Sequence, residues 1–175
     1  LFLRRQRRVA PDTAVHLLVD LSGSMARGVL VGTQRISAAR VAQESALALA
    51  LALDAIPGVA VAVTAFPGVA GQEAILARLV RHGQPPRTRA GAFAQLPRGG
   101  TPLAGALWYA AADLLAGDAT RRLVLVLTDG RPDDRPSAQH LLALCQDAGI
   151  ETIGVGIAID VGALFPTAVT VNALS

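Results

Sequence analysis

Short, continuously aliphatic runs alternate along this chain with longer stretches in which apolar residues recur at helical spacing. The aliphatic runs are Val15-His16-Leu17-Leu18-Val19, Val59 to Phe66, Leu123 to Leu127 and Ile150 to Ile157. They lack the strict in–out alternation of a half-solvated strand and are bounded by turn residues, so each is predicted as a strand buried on both faces. Between the first two, Thr33 to Ile56 carries Ile36, Val41, Leu47 and Leu51 with no strong breaker. It is predicted as one long, largely buried helix ended by Pro57-Gly58. Thr101 to Leu115, with Pro102 suited to a first turn, and Ser137 to Ala148, stopped by Gly149, are the next helices. Ala74 to Val80 reads as a strand at the sheet edge, Val161 to Phe165 as a short helix, and Ala168 to Val171 as a last strand. Arg81 to Gly100, rich in Gly, Pro and Arg, reads as an exposed connection.

Strands alternating with helices predict an α/β fold: a Rossmann-like, doubly wound, mostly parallel sheet with helices on both faces and right-handed crossovers. In such sheets ligands bind beyond the carboxyl ends of the strands, where the strand order reverses. With 175 residues the chain is one domain's worth, read as a basic, polar lead-in or linker over 1–13 and a single domain over 14–175. The hydrophobic share of 52% with only 3% aromatic makes Ala, Val and Leu the core builders.

All 16 basic residues are Arg and the net charge is only +3. No basic stripe interleaved with aromatics and no reader motif is present, so nucleic-acid binding is not expected. Arg78, Arg81, Arg87, Arg89 and Arg98 are dispersed along one connection and read as a solvated loop rather than a partner surface. The longest apolar region, Ala46 to Phe66, is interrupted by Asp54 and Pro57-Gly58, so no membrane span is expected. A lone Cys145 within Leu141-Leu142-Ala143-Leu144-Cys145 is expected to be a buried structural thiol. It excludes an internal disulfide framework and suits a reducing, cytoplasmic compartment. The start at Leu1 reads as a fragment cut from a longer protein.

The chemistry concentrates at predicted strand ends. Asp20-Leu21-Ser22-Gly23-Ser24 follows the first strand and offers one carboxylate and two hydroxyls within five residues. Oxygen donors of this kind suit a hard divalent cation such as Mg²⁺, and no thiolate or histidine cluster accompanies them to favour zinc or copper. Thr128-Asp129-Gly130 follows the third strand, and Gly99-Gly100-Thr101-Pro102 precedes a helix; the three segments are expected to converge. Gly23 and Gly100 are expected to permit close backbone approach. His16, His82 and His140 show no ligand spacing and are expected to be structural or exposed. Asp133 and Asp134 are expected to form a solvated turn.

This order of an Asp-x-Ser-x-Ser loop, a distant Thr and a later Asp resembles the von Willebrand factor A domain with its metal-ion-dependent adhesion site. The resemblance runs from about Thr13 to the end. It implies that Ser22, Ser24 and Thr101 supply hydroxyl oxygens to the metal. Asp20 and Asp129 would act largely through metal-bound water, with Asp129 binding directly in another state. The cation implied is Mg²⁺, with Mn²⁺ or Ca²⁺ as alternatives, and a carboxylate from a partner protein completes its coordination. Within the family, Gly154 to Val161, Ala168 to Val171 and Thr128 to Asp134 look like a bacterial branch. That branch includes the large accessory subunit of aerobic cobaltochelatase, the nitric-oxide-reductase activation protein and a rubisco-activation protein, all partners of MoxR-type AAA+ ATPases. The function so implied is a non-catalytic, metal-dependent interaction module in an ATPase-associated chelatase or enzyme-activation complex.

Two other functions compete. Ser24, Asp129 and His140 follow the Ser, Asp, His order of α/β-hydrolases, yet no Gly-x-Ser-x-Gly elbow surrounds either serine. A phosphoryl-transfer reading needs a second Asp where Ser22 stands. A chain without Lys has no Walker loop, and Ile159 falls where a dinucleotide fingerprint needs its third glycine. No catalytic residue is therefore expected. An extracellular adhesion domain of the same fold is the other alternative, and the single cysteine weighs against it.

Overall fold

The computed structural model describes residues 12–67 and 76–171. Its elements are β1 (Thr13–Asp20), β2 (Gly28–Val31), β3 (Gln34–Ser37), α1 (Ala38–Asp54), β4 (Val59–Phe66), β5 (Ala77–Val80), α2 (Leu103–Leu115), β6 (Arg121–Thr128), α3 (Arg135–Asp147), β7 (Ile150–Ile157) and β8 (Thr167–Val171). Of the expected lead-in 1–13 only Asp12 and Thr13 are described, and Thr13 already pairs within β1. Residues 74 and 75 of the expected edge strand lie outside the described residues.

The main sheet runs β5-β4-β1-β6-β7-β8, parallel throughout except for β5, which pairs antiparallel with β4 at the edge. This is the doubly wound, mostly parallel arrangement that the alternating pattern predicts. The aliphatic strands β1 and β6 are central and covered on both faces. Val15, Leu17 and Val19 of β1 pack toward α1, whereas Ala14 and Leu18 pack toward α2 and α3. The core-facing stripe of α1 is Ala38, Ala42, Ala46 and Ala50, each fully buried, so a nearly aromatic-free sequence closes its core by bringing helix and sheet close together. Cys145 is buried on α3, and burial pushes its thiol pKa up, as a structural cysteine requires.

Three local expectations are corrected. Thr33 to Ser37 is not helix: β2 and β3 form a hairpin whose register leaves Gly32 and Thr33 as a two-residue turn. Gly32 sits at φ 59°, the left-handed conformation that a tight hairpin needs at its first central position. Ser37 then starts α1 by accepting the Arg40 N–H on its Oγ at 3.2 Å. Val161 to Phe165 is a hydrogen-bonded turn, not a helix. The amides of Leu164 and Phe165 both donate to the Val161 carbonyl, and the chain then enters β8.

The connection 81–100 is not simply exposed. Pro86–Phe93 forms a 3-10 segment that buries Pro86 and Phe93. The buried Gln43 of α1 reaches across to it: its Nε2 donates to the Gln95 carbonyl at 3.0 Å, and its Oε1 accepts the Gln95 amide at 2.8 Å. This pair pins the segment that delivers Gly99, Gly100 and Thr101. Gln43→Ala removes both partners of a partly buried backbone unit, and is expected to cost about 1–3 kcal/mol. Urea titration monitors the loss, with an unchanged m-value showing that the fold is retained.

Candidate metal centre

β1 and β6 are neighbours, but the chain leaves them in opposite directions, β1 toward β4 and β6 toward β7. The reversal opens a crevice at their carboxyl ends. Asp20 is the last residue of β1 and Asp129 the first after β6, so both carboxylates stand at that crevice.

Asp20 is wholly buried (0% exposed) and each of its oxygens is spoken for. Oδ1 accepts the Ser22 amide at 2.8 Å, which folds the loop back on itself. Oδ2 accepts the Thr128 hydroxyl at 2.6 Å, and Thr128 Oγ1 in turn accepts the Gly130 amide at 3.0 Å. One carboxylate thus ties the first loop to the third. The second loop joins the first through Arg98 N–H to the Leu21 carbonyl (2.7 Å) and Gly23 N–H to the Gly99 carbonyl (2.9 Å). It joins the segment after β6 through Asp133, whose Oδ2 accepts the Thr101 amide at 2.8 Å and whose own amide donates to the Thr101 carbonyl at 3.1 Å. The three segments therefore form a closed ring of hydrogen bonds. A Cβ added to Gly100 would stand 2.4 Å from Asp133 Oδ2 and displace the carboxylate that holds Thr101, whereas one on Gly23 would make a tight contact, 3.3 Å from the Gly99 carbonyl.

The hydroxyls are arranged from inside to outside. Ser22 is buried, Ser24 is exposed, and their Oγ atoms are 3.1 Å apart. Thr101 and Asp129 are each 5% exposed. Asp129 is the unbalanced member: its buried Oδ1 has no hydrogen-bond partner among the described residues. Its Oδ2 faces the Arg27 Nε at 3.9 Å, while Arg27 Nη2 donates to the Ile157 carbonyl at 2.6 Å. An orphaned carboxylate oxygen in a buried site costs free energy unless a proton, water or cation meets it. With two hydroxyls side by side and two carboxylates behind them, this donor set fits a hard divalent cation.

Burial pushes the Asp20 carboxyl above its ordinary range; the Thr128 hydroxyl and the Ser22 side chain and amide pull it down, and the Asp129 charge raises it.

Several contributors carried no separate signal in the sequence. Thr128 positions Asp20, Arg27 partly neutralises Asp129, and Asp133 latches Thr101 rather than forming only a solvated turn. Asp134 caps α3, its Oδ1 accepting the Ser137 amide at 3.0 Å. The hydrolase triad is not assembled: Ser24 pairs with Ser22, Asp129 faces Arg27, and no hydrogen bond among the described residues joins exposed His140 to either.

The sequence matches the model of the von Willebrand factor type A domain over residues 14–170, and the chain belongs to that family. Its members are commonly protein-interaction and adhesion modules, typically without catalysis. No curated protein sequence matches the chain. Among solved structures it is similar to the pilus adhesin SpaC of Lactobacillus rhamnosus GG, with TM-score 0.67 and 20% identity over 88% of this chain and 25% of the adhesin. It is also similar to the SpRpn10 VWA domain, with TM-score 0.66 and 12% identity over 95% and 90% of the two chains. A third is the manganese-loaded TRAP protein of Plasmodium vivax, with TM-score 0.56 and 18% identity over 85% and 59%. The chain spans about a quarter of the length of the adhesin, and at these identities the likeness is one of fold. No helix among the described residues is long and apolar enough to cross a membrane.

The raised Asp20 pKa fixes a sign. The native state holds that proton more tightly than the unfolded chain, so its contribution is fully present below the unfolded carboxyl pKa and is lost as pH rises through the higher folded value. In chelator, Asp20→Asn is expected to flatten this part of the stability–pH profile and to be at least as stable as wild type at neutral pH. Urea titrations across a pH series check it; a mutant that is less stable than wild type at neutral pH contradicts it.

Proposed function

We propose that this domain is a non-catalytic docking module that works through a bound Mg²⁺, with Mn²⁺ or Ca²⁺ as alternatives. Ser22, Ser24 and Thr101 hold the ion through their hydroxyls, and Asp20 and Asp129 balance its charge. The observation that carries this reading is the orphaned, buried Asp129 Oδ1 at the rim of a three-loop ring that already orders two serine hydroxyls. When bound, the cation supplies affinity for one more anionic oxygen, which an Asp or Glu of the partner protein provides.

The chain's own residues do the rest. Asp20, with both oxygens already accepting, locks the loop geometry in advance, so little ordering remains for the binding event. Ser24 is the exposed end of the hydroxyl pair and marks the side from which a partner approaches. Arg27 lies beside Asp129 and limits the charge left there without the ion. The motifs at 128–134, 154–161 and 168–171, which resemble the cobaltochelatase and nitric-oxide-reductase activation branch, support a MoxR-type AAA+ ATPase as partner. The buried, unpaired Cys145 supports a cytoplasmic setting.

Magnesium calorimetry on wild type and Thr101→Ala tests the site. The Thr101 hydroxyl enters no hydrogen bond among the described residues, so the mutant is expected to melt like wild type in chelator while binding Mg²⁺ at least about tenfold more weakly. Wild type is expected to gain about 2.7 kcal/mol at 100 times its Kd. In parallel, the full-length protein is expected to retain its partner in Mg²⁺ and release it in chelator. Equal Mg²⁺ affinity in the two proteins, or no response of melting to Mg²⁺, overturns the assignment.

A further inference from the structure

On the face of the sheet covered by α2, a second group of titratable side chains meets, unconnected with the three loops. His16 of β1, His82 just after β5 and Asp113 of α2 each offer a ligand atom, all within 4.8 Å of one another. Among the described residues no other trio of His, Cys, Asp or Glu comes together in this way. His16 is 1% exposed and His82 half-buried. We propose that these three residues form a second metal centre, selective for a borderline, nitrogen-preferring divalent cation of the Zn²⁺ class.

The distances suit such an ion. Asp113 Oδ2 is 3.0 Å from His16 Nδ1 and 3.2 Å from His82 Nε2. Ligand atoms about 2.0–2.1 Å from a tetrahedral Zn²⁺ lie about 3.3–3.4 Å from one another, so two edges of the polyhedron are nearly in place. The far ring nitrogen of His16, Nε2, is 2.8 Å from Thr64 Oγ1. When Nε2–H donates there, the Nδ1 lone pair faces the Asp113 carboxylate, and a metal-binding histidine is oriented by this kind of outer hydrogen bond. Two lone pairs at 3.0 Å need a proton or a metal cation between them.

A proton on His16 Nδ1 would meet that need for His16 alone. It leaves His82 unexplained, because both of its ring nitrogens are buried without a hydrogen-bond partner. His82 Nε2 approaches Asp113 closely but not along a hydrogen-bonding direction, as expected when its lone pair aims at a point beside the carboxylate rather than at it.

A cavity of about 160 Å³ adjoins the trio and gives room for water as a fourth ligand. Tyr109 walls it, its ring edge-on to His16. Arg78 and Arg81 also line it and supply no ligand; Asp113 is the one anionic side chain among the lining residues. Two nitrogens and one carboxylate with an open position are the donor set of catalytic zinc and non-haem iron sites, and differ from the all-oxygen set at the carboxyl end of β1.

Zinc calorimetry tests the proposal on wild type, His82→Ala and His140→Ala, with Co²⁺ added in place of Zn²⁺ as a spectroscopic probe. Wild type and the exposed-site control His140→Ala are expected to bind one equivalent alike, and His82→Ala to bind about 100-fold more weakly or worse. Co²⁺ is expected to give the intense visible bands of a low-coordinate nitrogen–oxygen site in wild type but not in His82→Ala. Asp113→Asn, which keeps an acceptor for His16, is expected to weaken binding without unfolding the domain. Absence of zinc binding, equal affinity in His82→Ala, or a loss reproduced by His140→Ala overturns it.

Discussion

A single buried carboxylate organises one end of this domain. Asp20 closes β1, has no contact with solvent, and divides its two oxygens between the Ser22 amide and the Thr128 hydroxyl. An ionised group in that position is costly, and hydrogen bonds to its oxygens lower the cost. The sequence meets the demand with short-range partners on two adjacent parallel strands, so the loops that follow β1 and β6 are fixed relative to each other by the same group. Thr101 is drawn in by separate bonds, from Gly23 and Arg98 on one side and Asp133 on the other. Everything else in the fold, from the alanine face of α1 to the Gln43–Gln95 pair, serves to hold those strand ends and that third loop where they can meet.

The domain presents two kinds of donor at different depths. The oxygen site lies at the carboxyl ends of β1 and β6. The histidine trio lies about 13 Å back along β1, at about 3.3 Å per strand residue from Asp20 to His16. The helix α2 spans both, with Thr101 just ahead of its first turn and Asp113 close to its last. Discrimination between cations at the two places would rest on ligand softness, since imidazole nitrogen favours late first-row metals and hydroxyl and carboxylate oxygen favour Mg²⁺ or Ca²⁺.

Much of the fold was legible because buried parallel strands write themselves as aliphatic runs. β1, β4, β6 and β7 are each found where those runs fall, and β5 takes the edge position read for it. The hairpin of β2 and β3 was missed because Ile36 merged with the apolar period of α1, and the run Gly28 to Val31 is only four residues long. Gly32-Thr33 between the two short runs was the available turn signal. The turn at Val161–Phe165 was mistaken for a helix because a few apolar residues at helical spacing do not distinguish one turn from several. At the site, Asp20, Ser22, Ser24, Thr101 and Asp129 stood out because ligand oxygens cluster at predicted strand ends. Arg27, Thr128 and Asp133 did not, since their roles arise from pairing between segments far apart in the chain. The histidines were read as scattered for the same reason: positions 16, 82 and 113 become neighbours only once β1, the end of β5 and α2 are packed.

The convergence of three loops on one cation is most directly tested by crystals of the domain grown with Mn²⁺, using anomalous scattering to locate the ion. A strong peak bonded to the hydroxyls of Ser22, Ser24 and Thr101, with Asp129 Oδ1 turned toward it, is the expected result. Mn²⁺ bound only elsewhere, with those three hydroxyls engaged by protein groups, would contradict the convergence.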